Sequence, residues 1–522
     1  MRSLSLLLLC IFLVGRTAIA EEAVDADLLL QGGVLHDGTG GPGIVGDVAI
    51  KGGKIVALGK FKIGKVDQTI ECRGLVVAPG FIDLHSHSDG PIVQSATRAN
   101  VNFVTQGCTT VVTGNCGFGP VDAAAYYRQI DAAGAGTNVA HLLPHGSLRE
   151  AVMEKTSRLP TNDELERMRI LADRAMRDGA WGMATGLIYV PGTYSQTEEL
   201  IEVAKVAARH GGIYASHIRG EGTMLPQSVA EAIRIGRVAD LPVHISHFKA
   251  SGREAWGTLH LAIELVEQAR REGRVVTADQ YPYTASSTSL EATLLPTWSR
   301  EGGRKEITRR LADPKERGKI RQEVEQTLQG HVRVQIAGYA PRRDWIGRSL
   351  EEIAAEQQRP TVDVVLEMEE HGGARIVNFG MHEDDVRSAM RLPWVATASD
   401  GSAKIPDADQ PHPRNFGTFP RKLGVYVREE KVISLEQAIR SCTGLPADVL
   451  HLPQRGYLRT DYVADLAVFD PQTIADRADY DHPYRYSTGM RYVFVGGIPT
   501  LFDGAPTGAL PGRALRHDAK SE

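Results

Sequence analysis

The stretch Gly80-Phe81-Ile82-Asp83-Leu84-His85-Ser86-His87-Ser88-Asp89 places two histidines directly after a short apolar run. Residues 77–80, Val-Ala-Pro-Gly, have the composition of a turn, so the run predicts a strand that enters a new domain. In a strand, residues two apart point to the same face, which lets His85 and His87 reach one metal ion. Such pairs are also common among surface polar residues, so the interpretation depends on further ligands downstream.

The length and composition indicate a globular protein with more than one structural unit. A chain of 522 residues is too long for one small core. Its hydrophobic content of 42% and charged content of 24% are ordinary for such proteins. A net charge of −5 gives no reason to expect nucleic acid or an anionic membrane surface as a partner.

The first twenty residues have the pattern of an export signal. Arg2 precedes an apolar stretch, residues 4–14, that is too short to span a bilayer. Ala18-Ile19-Ala20 then supplies a small-residue cleavage site before Glu21. We expect residues 1–20 to be a cleaved signal peptide, and the mature protein to be periplasmic or secreted without a membrane-inserted segment.

Cysteine usage after this segment does not describe a disulfide framework. The remaining cysteines are Cys72, Cys108, Cys116 and Cys442, too few to hold a chain of this length together. Because an exported thiol is exposed to oxidation, a cysteine retained in such a protein is a candidate metal ligand.

Short apolar runs separated by glycine turns occupy both ends of the mature chain. They lie at 28–30, 48–50, 55–57 and 75–77, and again at 464–469 and 492–497. Neither end has enough strands for a stable sheet. We therefore expect residues 21–79 and 450–522 to form one small, antiparallel β-sandwich domain together.

Between the two ends, strand-like runs alternate with helical patterns, which is typical of a parallel α/β barrel. Residues 80–449 are predicted to form a (β/α)8 TIM-like barrel with strands at 81–85, 109–115, 138–143, 182–187, 212–217, 243–247, 275–281 and 394–400. An insertion at about 286–390, with predicted helices at 304–328, 350–357 and 362–371, delays the last strand. We expect it to cover the barrel mouth.

Side chains that bind metals follow several of these predicted strands. The carboxyl ends of barrel strands meet at one rim, which would collect His85, His87, Cys116, His217, His247 and Asp400. One such residue alone is a weak signal, but six of the right kinds at consistent strand ends are a strong one. Thiolate and imidazole ligands together favour zinc over magnesium or calcium.

This set of residues suits hydrolysis. A catalytic zinc ion keeps an open position, where bound water has a pKa of about 7 and can attack a carbonyl group. A nearby carboxylate then takes the proton from the water and passes it to the leaving group. Asp400 is the candidate general acid/base; its alternative roles are a structural ion pair or a cap on the following turn.

Six segments carry a resemblance to a known family: residues 78–87, 114–117, 216–222, 245–250, 278–285 and 412–421. Together they resemble the N-acyl-D-amino-acid deacylases (D-aminoacylases) of the amidohydrolase superfamily, over about residues 27–515. The resemblance implies zinc-dependent hydrolysis of N-acyl-D-amino acids to a carboxylate and a free D-amino acid. The preference for the D-enantiomer rests on the resemblance alone.

The resemblance also implies roles for the predicted ligands. Cys116, His217 and His247 would hold one tightly bound zinc ion. His85 and His87, with Cys116 as the bridge, would form a second site that is weaker or dispensable. Asp400 would be the general acid/base.

A substrate with a free α-carboxylate needs a cationic or hydrogen-bonding partner. Lys249, two residues after His247, and Tyr283 are the first candidates, and they resemble the carboxylate-binding pair of the family. Tyr281 and Arg414 are further candidates. The alternatives are a solvated strand-end charge for the lysine and packed core rings for the tyrosines.

Other functions fit the same residues. A cyclic amidase of the hydantoinase or dihydroorotase type, or a dipeptidase, would use the same metal centre. An exported binding protein would use the same barrel, although binding alone needs no proton shuttle such as Asp400. The sequence leaves open the preferred D-side chain and acyl group, the number of metals in the active form and the oligomeric state.

Overall fold

The computed structural model describes residues 23–518. The predicted signal peptide, residues 1–20, lies outside this range. Among the described residues, no helix combines the length and the apolar character needed to cross a membrane.

The N-terminal end of the described chain contributes five strands to a nine-stranded sheet. They are β1 (Val24–Leu35), β2 (Ile44–Lys51), β3 (Lys54–Gly59), β4 (Ile63–Glu71) and β5 (Val76–Pro79). Strand β1 is long enough to pair with β2 on one edge and with both β4 and β5 on the other. The pairs with β4 and β5 are parallel, so the expectation of a purely antiparallel unit was wrong.

The barrel follows, and its first seven positions agree with the predicted strands. They are β6 (Phe81–Asp83), β7 (Cys108–Thr113), β8 (Asn138–His141) with its continuation β9 (Leu143–Pro144), β10 (Gly182–Gly186), β11 (Ile213–His217), β12 (Val243–Ile245) and β13 (Val276–Gln280). All paired neighbours run parallel. Every residue of β7, β10, β11 and β13 is buried, as expected for strands covered by helices outside and packed side chains inside.

The insertion contains a sheet that the sequence analysis missed. Strands β14 (Ser286–Ser289), β15 (Val334–Gly338) and β16 (Arg375–Asn378) form a three-stranded antiparallel sheet. The predicted helix at 304–328 is two helices, Arg304–Ala312 and Pro314–Gln329, because Asp313 caps the second and Pro314 begins it. The other insertion helices are Leu290–Leu294, Leu350–Glu356 and Thr361–Glu370.

The eighth barrel strand is β17 (Val395–Thr397), which pairs with β13. The chain after it closes the ring onto β6. The amide of Asp400 donates to the carbonyl of His85 at 2.9 Å, and the amide of His87 donates to the carbonyl of Gly401 at 2.7 Å. The barrel predicted from the sequence is thereby confirmed.

Helices cover the outside of the barrel. They are Val101–Val104, Ala123–Ala133, His145–Met153, Asn162–Arg177, Thr197–Arg209, Leu225–Ala239, Leu259–Arg271, Glu383–Met390, Arg414–Arg421, Leu435–Cys442 and Gly444–Leu450, with a π-helix at Lys422–Glu429.

The C-terminal end completes the nine-stranded sheet with β18 (Leu466–Phe469), β19 (Met490–Val495), β20 (Ile498–Phe502) and β21 (Ala505–Pro506). Strand β18 pairs antiparallel with β5, which confirms that the two chain ends join. Leu466 and Val468 pack inside this domain, whereas Ala467 and Phe469 belong to the barrel core. The two faces of one strand therefore hold the domain against the barrel.

Candidate metal centre

The carboxyl ends of the barrel strands bring the five predicted metal ligands and Asp400 together. Three overlapping groups of residues have ligand atoms within 4.8 Å of one another: His85, His87 and Cys116; Cys116, His217 and His247; His85, His247 and Asp400. All of these residues are buried except His87, which is half-buried. A cluster of this kind, shielded from solvent on most sides, is a candidate metal centre.

Cys116 is shared by two pairs of histidines, His85 with His87 and His217 with His247. Its Sγ is 3.3 Å from Nε2 of His85, 3.7 Å from Nδ1 of His217 and 3.8 Å from Nε2 of His247. This position is what the expected role of a bridging ligand requires. Burial opposes ionisation of the thiol, but the charge of His85 and hydrogen bonds from the three histidines hold the pKa of Cys116 well below its ordinary value. The thiolate is the form that binds metal.

The main chain at the cluster is strained. Cys116, His247 and Asp400 have φ angles of 53°, 36° and 50°, in the left-handed region that residues with a side chain rarely adopt. Each such residue costs about 1 to 3 kcal/mol and persists only where its surroundings hold it. Three such residues in one cluster mark it as a candidate functional site.

Asp279 helps to fix this geometry, although no role was predicted for it from the sequence. Its Oδ2 lies 3.3 Å from Nδ1 of His85 and 2.9 Å from Nε2 of His244, while Oδ1 accepts the amide of His247 at 2.7 Å. Burial opposes its ionisation, but His85 and His244 hold the pKa of Asp279 well below its ordinary value. The available signal was a carboxylate inside the fully buried strand β13.

Glu221 positions His247 as Asp279 positions His85. No role was predicted for Glu221 from the sequence either. Its Oε1 lies 2.8 Å from Nδ1 of His247 and also accepts a hydrogen bond from Lys249. His85 and His247 therefore each present one ring nitrogen to a carboxylate and the other to Cys116. Carboxylates behind histidine ligands orient the rings and raise their basicity. A thiolate among histidines held in this way fits a zinc ion.

We expect Asp279→Asn to weaken zinc binding at the site that includes His85 about 10- to 100-fold, because the amide cannot supply the charge that orients His85 and stabilises its ring. The measurement is chelator competition for zinc on protein whose fold is verified by circular dichroism. Asp465→Asn is the matched control, since Asp465 is a buried carboxylate that pairs with Arg455 at the sheet domain. Equal zinc affinity in Asp279→Asn and wild type would contradict this assignment.

Asp400 faces the same cluster. Its Oδ1 is 3.0 Å from Nε2 of His87 and 3.5 Å from Nε2 of His85, and its Oδ2 is 2.7 Å from Nη1 of Arg414. Burial alone would favour the protonated form, but Arg414 and the histidines hold the pKa of Asp400 well below its ordinary value. These contacts favour the ionised form of Asp400.

Three of the four predicted substrate-binding residues lie at the cluster. Lys249 Nζ is 2.8 Å from Nδ1 of His247, and the ring of Tyr281 lies 5.9 Å from Lys249 Nζ and 4.9 Å from the guanidinium of Arg414.

The structure does not bring Tyr283 to the cluster. The chain turns at Pro282, where the Tyr283 amide donates to the Tyr281 carbonyl at 3.0 Å, and the Tyr283 ring packs against His412 and Arg421 instead. Alternation along the strand could not predict this turn.

Two cavities open onto the cluster. The inner one has a volume of about 180 Å³ and is lined by His217, Glu221, His247, Lys249 and Tyr281 among others. The outer one has a volume of about 1100 Å³ and contains His87 and Cys116, with insertion residues such as Tyr339 in its wall. The insertion therefore lies over the barrel mouth, and the cluster is reachable by a small molecule.

Comparison with known proteins identifies the family. The model of the amidohydrolase family matches residues 68–285 and 324–500. The chain is 37% identical to a D-aminoacylase of Alcaligenes xylosoxydans xylosoxydans, over 94% of this chain and 98% of that protein. It is 35% identical to an N-acyl-D-aspartate deacylase of the same organism, over 96% and 97%. The chain therefore belongs to the amidohydrolase family, in the branch of the N-acyl-D-amino-acid deacylases, and is a hydrolase.

Solved structures agree with this placement. A structure of D-aminoacylase described with a binuclear metal centre has a TM-score of 0.82 at 35% identity, covering 94% of this chain and all (100%) of that one. The N-acyl-D-glutamate deacylase of Bordetella bronchiseptica, complexed with zinc and a phosphonate inhibitor, also has a TM-score of 0.82, at 32% identity and the same coverage.

Proposed function

We propose that this protein hydrolyses the amide bond of N-acyl-D-amino acids with zinc, releasing a carboxylate and a free D-amino acid. The observation that carries the proposal is the position of the Asp400 carboxylate, 3.0 Å from His87 and in the wall of both cavities. The similarity to three D-specific deacylases, at 35–37% identity over nearly the whole chain, supports the substrate class.

In this proposal Cys116, His217 and His247 would hold the tightly bound zinc ion, and His85 and His87, together with Cys116, would hold a second one. When bound, zinc would supply an acidified water and polarise the carbonyl oxygen of the substrate. Asp400 takes a proton from the attacking water as the new C–O bond forms. It then delivers that proton to the amide nitrogen as the C–N bond breaks. Arg414, 2.7 Å from Oδ2 of Asp400, holds the carboxylate so that Oδ1 faces the cluster.

The inner cavity suits the amino-acid half of the substrate. Lys249 and Tyr281 lie in its wall, and the hydroxyl of Tyr281 has no hydrogen-bond partner among residues 23–518. A buried polar group left in this state gains when a ligand pairs with it. The α-carboxylate of the substrate would accept hydrogen bonds from both, with Glu221 keeping Lys249 in position.

The test is release of free amine from paired N-acetyl-D- and N-acetyl-L-amino acids by purified protein of known zinc content. We expect release from the D-enantiomers with little from the L-enantiomers. A protein that binds zinc but releases amine from no N-acyl-amino acid would contradict the proposal. Turnover of a hydantoin or dihydroorotate by that protein would instead assign a cyclic amidase.

We also propose that the protein is exported, on the basis of the signal-like residues 1–20. N-terminal sequencing of the protein isolated from cells is expected to begin at Glu21. A cytosolic protein that retains Met1 would contradict export.

A further inference from the structure

The outer cavity has about six times the volume of the inner one, and both cavities reach Asp400. The inner one has about 180 Å³ and the outer one about 1100 Å³, and both are lined by Tyr189, Ser287, Thr288 and Asp400. The bond to be cleaved must lie at Asp400, since this residue transfers the proton. A substrate bound there extends one half into each cavity.

The orientation follows from the residues in each wall and rests on the proposed function. Lys249 and Tyr281 line the inner cavity, so the half with the α-carboxylate lies there. The acyl half then extends past Asp400 into the outer cavity. An acetyl group would leave nearly all of that space to water, because a cavity of this size matches those that hold drug-sized ligands.

The wall of the outer cavity includes apolar side chains close to the metal-ligand cluster. Phe118, two residues after Cys116, is 39% exposed and packs edge-on against Tyr189 with ring centroids 5.4 Å apart. Ala340 and Ile346 of the insertion continue the wall. The exposed face of Phe118 therefore offers an apolar contact to a ligand in this cavity.

The basic side chains of the outer cavity are largely paired within the chain. Arg304 pairs with Glu291 and Glu369, Arg375 pairs with Asp409, and Lys404 pairs with Asp407. Arg414 pairs with Asp400. These pairs do not include Arg300 and Arg343, which also line the cavity and have no carboxylate partner among residues 23–518. An unbranched acyl group would contact the apolar part of the wall.

We propose that the outer cavity is an acyl-chain site and that the preferred substrates are N-acyl-D-amino acids with an unbranched fatty acyl group of medium length, such as octanoyl. The chain extends from Asp400 over Phe118 towards Ala340 and Ile346 beneath the insertion. Each methylene group that it transfers from water to this wall is worth up to about fourfold in kcat/KM.

The experiment measures kcat/KM for acetyl, butyryl, hexanoyl and octanoyl derivatives of one D-amino acid with the zinc-loaded, full-length mature enzyme. We expect the octanoyl substrate to exceed the acetyl substrate by at least about tenfold, since six added methylenes are partly removed from water. A kcat/KM that falls steadily from acetyl to octanoyl would overturn the acyl-chain site but leave the deacylase function intact. Release from none of the four would overturn both.

A pair of variants tests the location of the site. Ala340→Trp narrows the outer cavity at an exposed position and is expected to lower the octanoyl-to-acetyl ratio of kcat/KM about tenfold. Ala355→Trp adds the same side chain at an exposed position of the helix Leu350–Glu356, outside the residues that line the cavity, and should leave the ratio unchanged. An unchanged ratio in Ala340→Trp, with the octanoyl preference intact, would overturn the location.

Discussion

Asp400→Asn is expected to lower kcat about 10²- to 10⁴-fold, the range that a positioned general acid/base contributes. Asparagine keeps the size of the side chain but cannot accept a proton from water at neutral pH. The tightly bound zinc ion should remain, because Cys116, His217 and His247 form a group of ligand atoms without Asp400. The measurements are kcat with an N-acetyl-D-amino acid and the zinc content of the same sample by atomic absorption.

The control for Asp400→Asn is Asp384→Asn, which removes an exposed carboxylate in the first turn of the helix Glu383–Met390. It should leave both kcat and zinc content at wild-type values. An Asp400→Asn enzyme that retains zinc and more than about a tenth of the wild-type kcat would show that another group transfers the proton. An Asp400→Asn enzyme that loses zinc would make Asp400 a ligand, as its place in a group with His85 and His247 also allows.

Cys116→Ala is expected to remove tight zinc binding and to lower kcat/KM by at least about 10³-fold, since the metal supplies several kcal/mol of transition-state stabilisation. Cys116 belongs to both ligand groups, so its loss leaves two histidines on each side. Two imidazoles are fewer than the three protein ligands of ordinary catalytic zinc sites. The measurements are zinc stoichiometry after dialysis and amine release.

The control for Cys116→Ala is Cys442→Ala, which removes another buried thiol, at the end of the helix Leu435–Cys442. It leaves a small cavity in the core, costs about 1 kcal/mol of stability and should keep the zinc content of wild type. If folded Cys116→Ala retained one tightly bound zinc ion per chain and wild-type activity, the thiolate would not be part of the metal centre.

The sequence predicted the barrel well because its signals are local. Each barrel strand is an apolar run bounded by turns, and the parallel arrangement follows from the helices between the runs. Once the strands are placed, the rule that strand ends meet at one rim brings Cys116, His217 and His247 together without any coordinates. The same logic failed for β14, because Ser286–Ser289 is a polar run that is typical of a loop.

The carboxylates that contact the candidate metal ligands could not be predicted in the same way. Asp279 and Glu221 lie in segments that the sequence analysis had already quoted, but their contacts with His85 and His247 join different strands. Such a contact depends on barrel closure and on side-chain rotamers, which spacing along the chain does not encode. The position of Tyr283 has a different and local cause, since a turn at Pro282 directs its ring away from the cluster.

What the sequence by itself determined is the order of the strands, the residue types of the candidate ligand set and the place of the insertion before the last barrel strand. These depend on local periodicity and on residue type. Only the tertiary structure decided which carboxylates hold the histidines, which cavity receives each half of a substrate and how much space each half has. Those properties arise where side chains far apart in the chain pack against one another, and the shape of the space left between them exists only after folding.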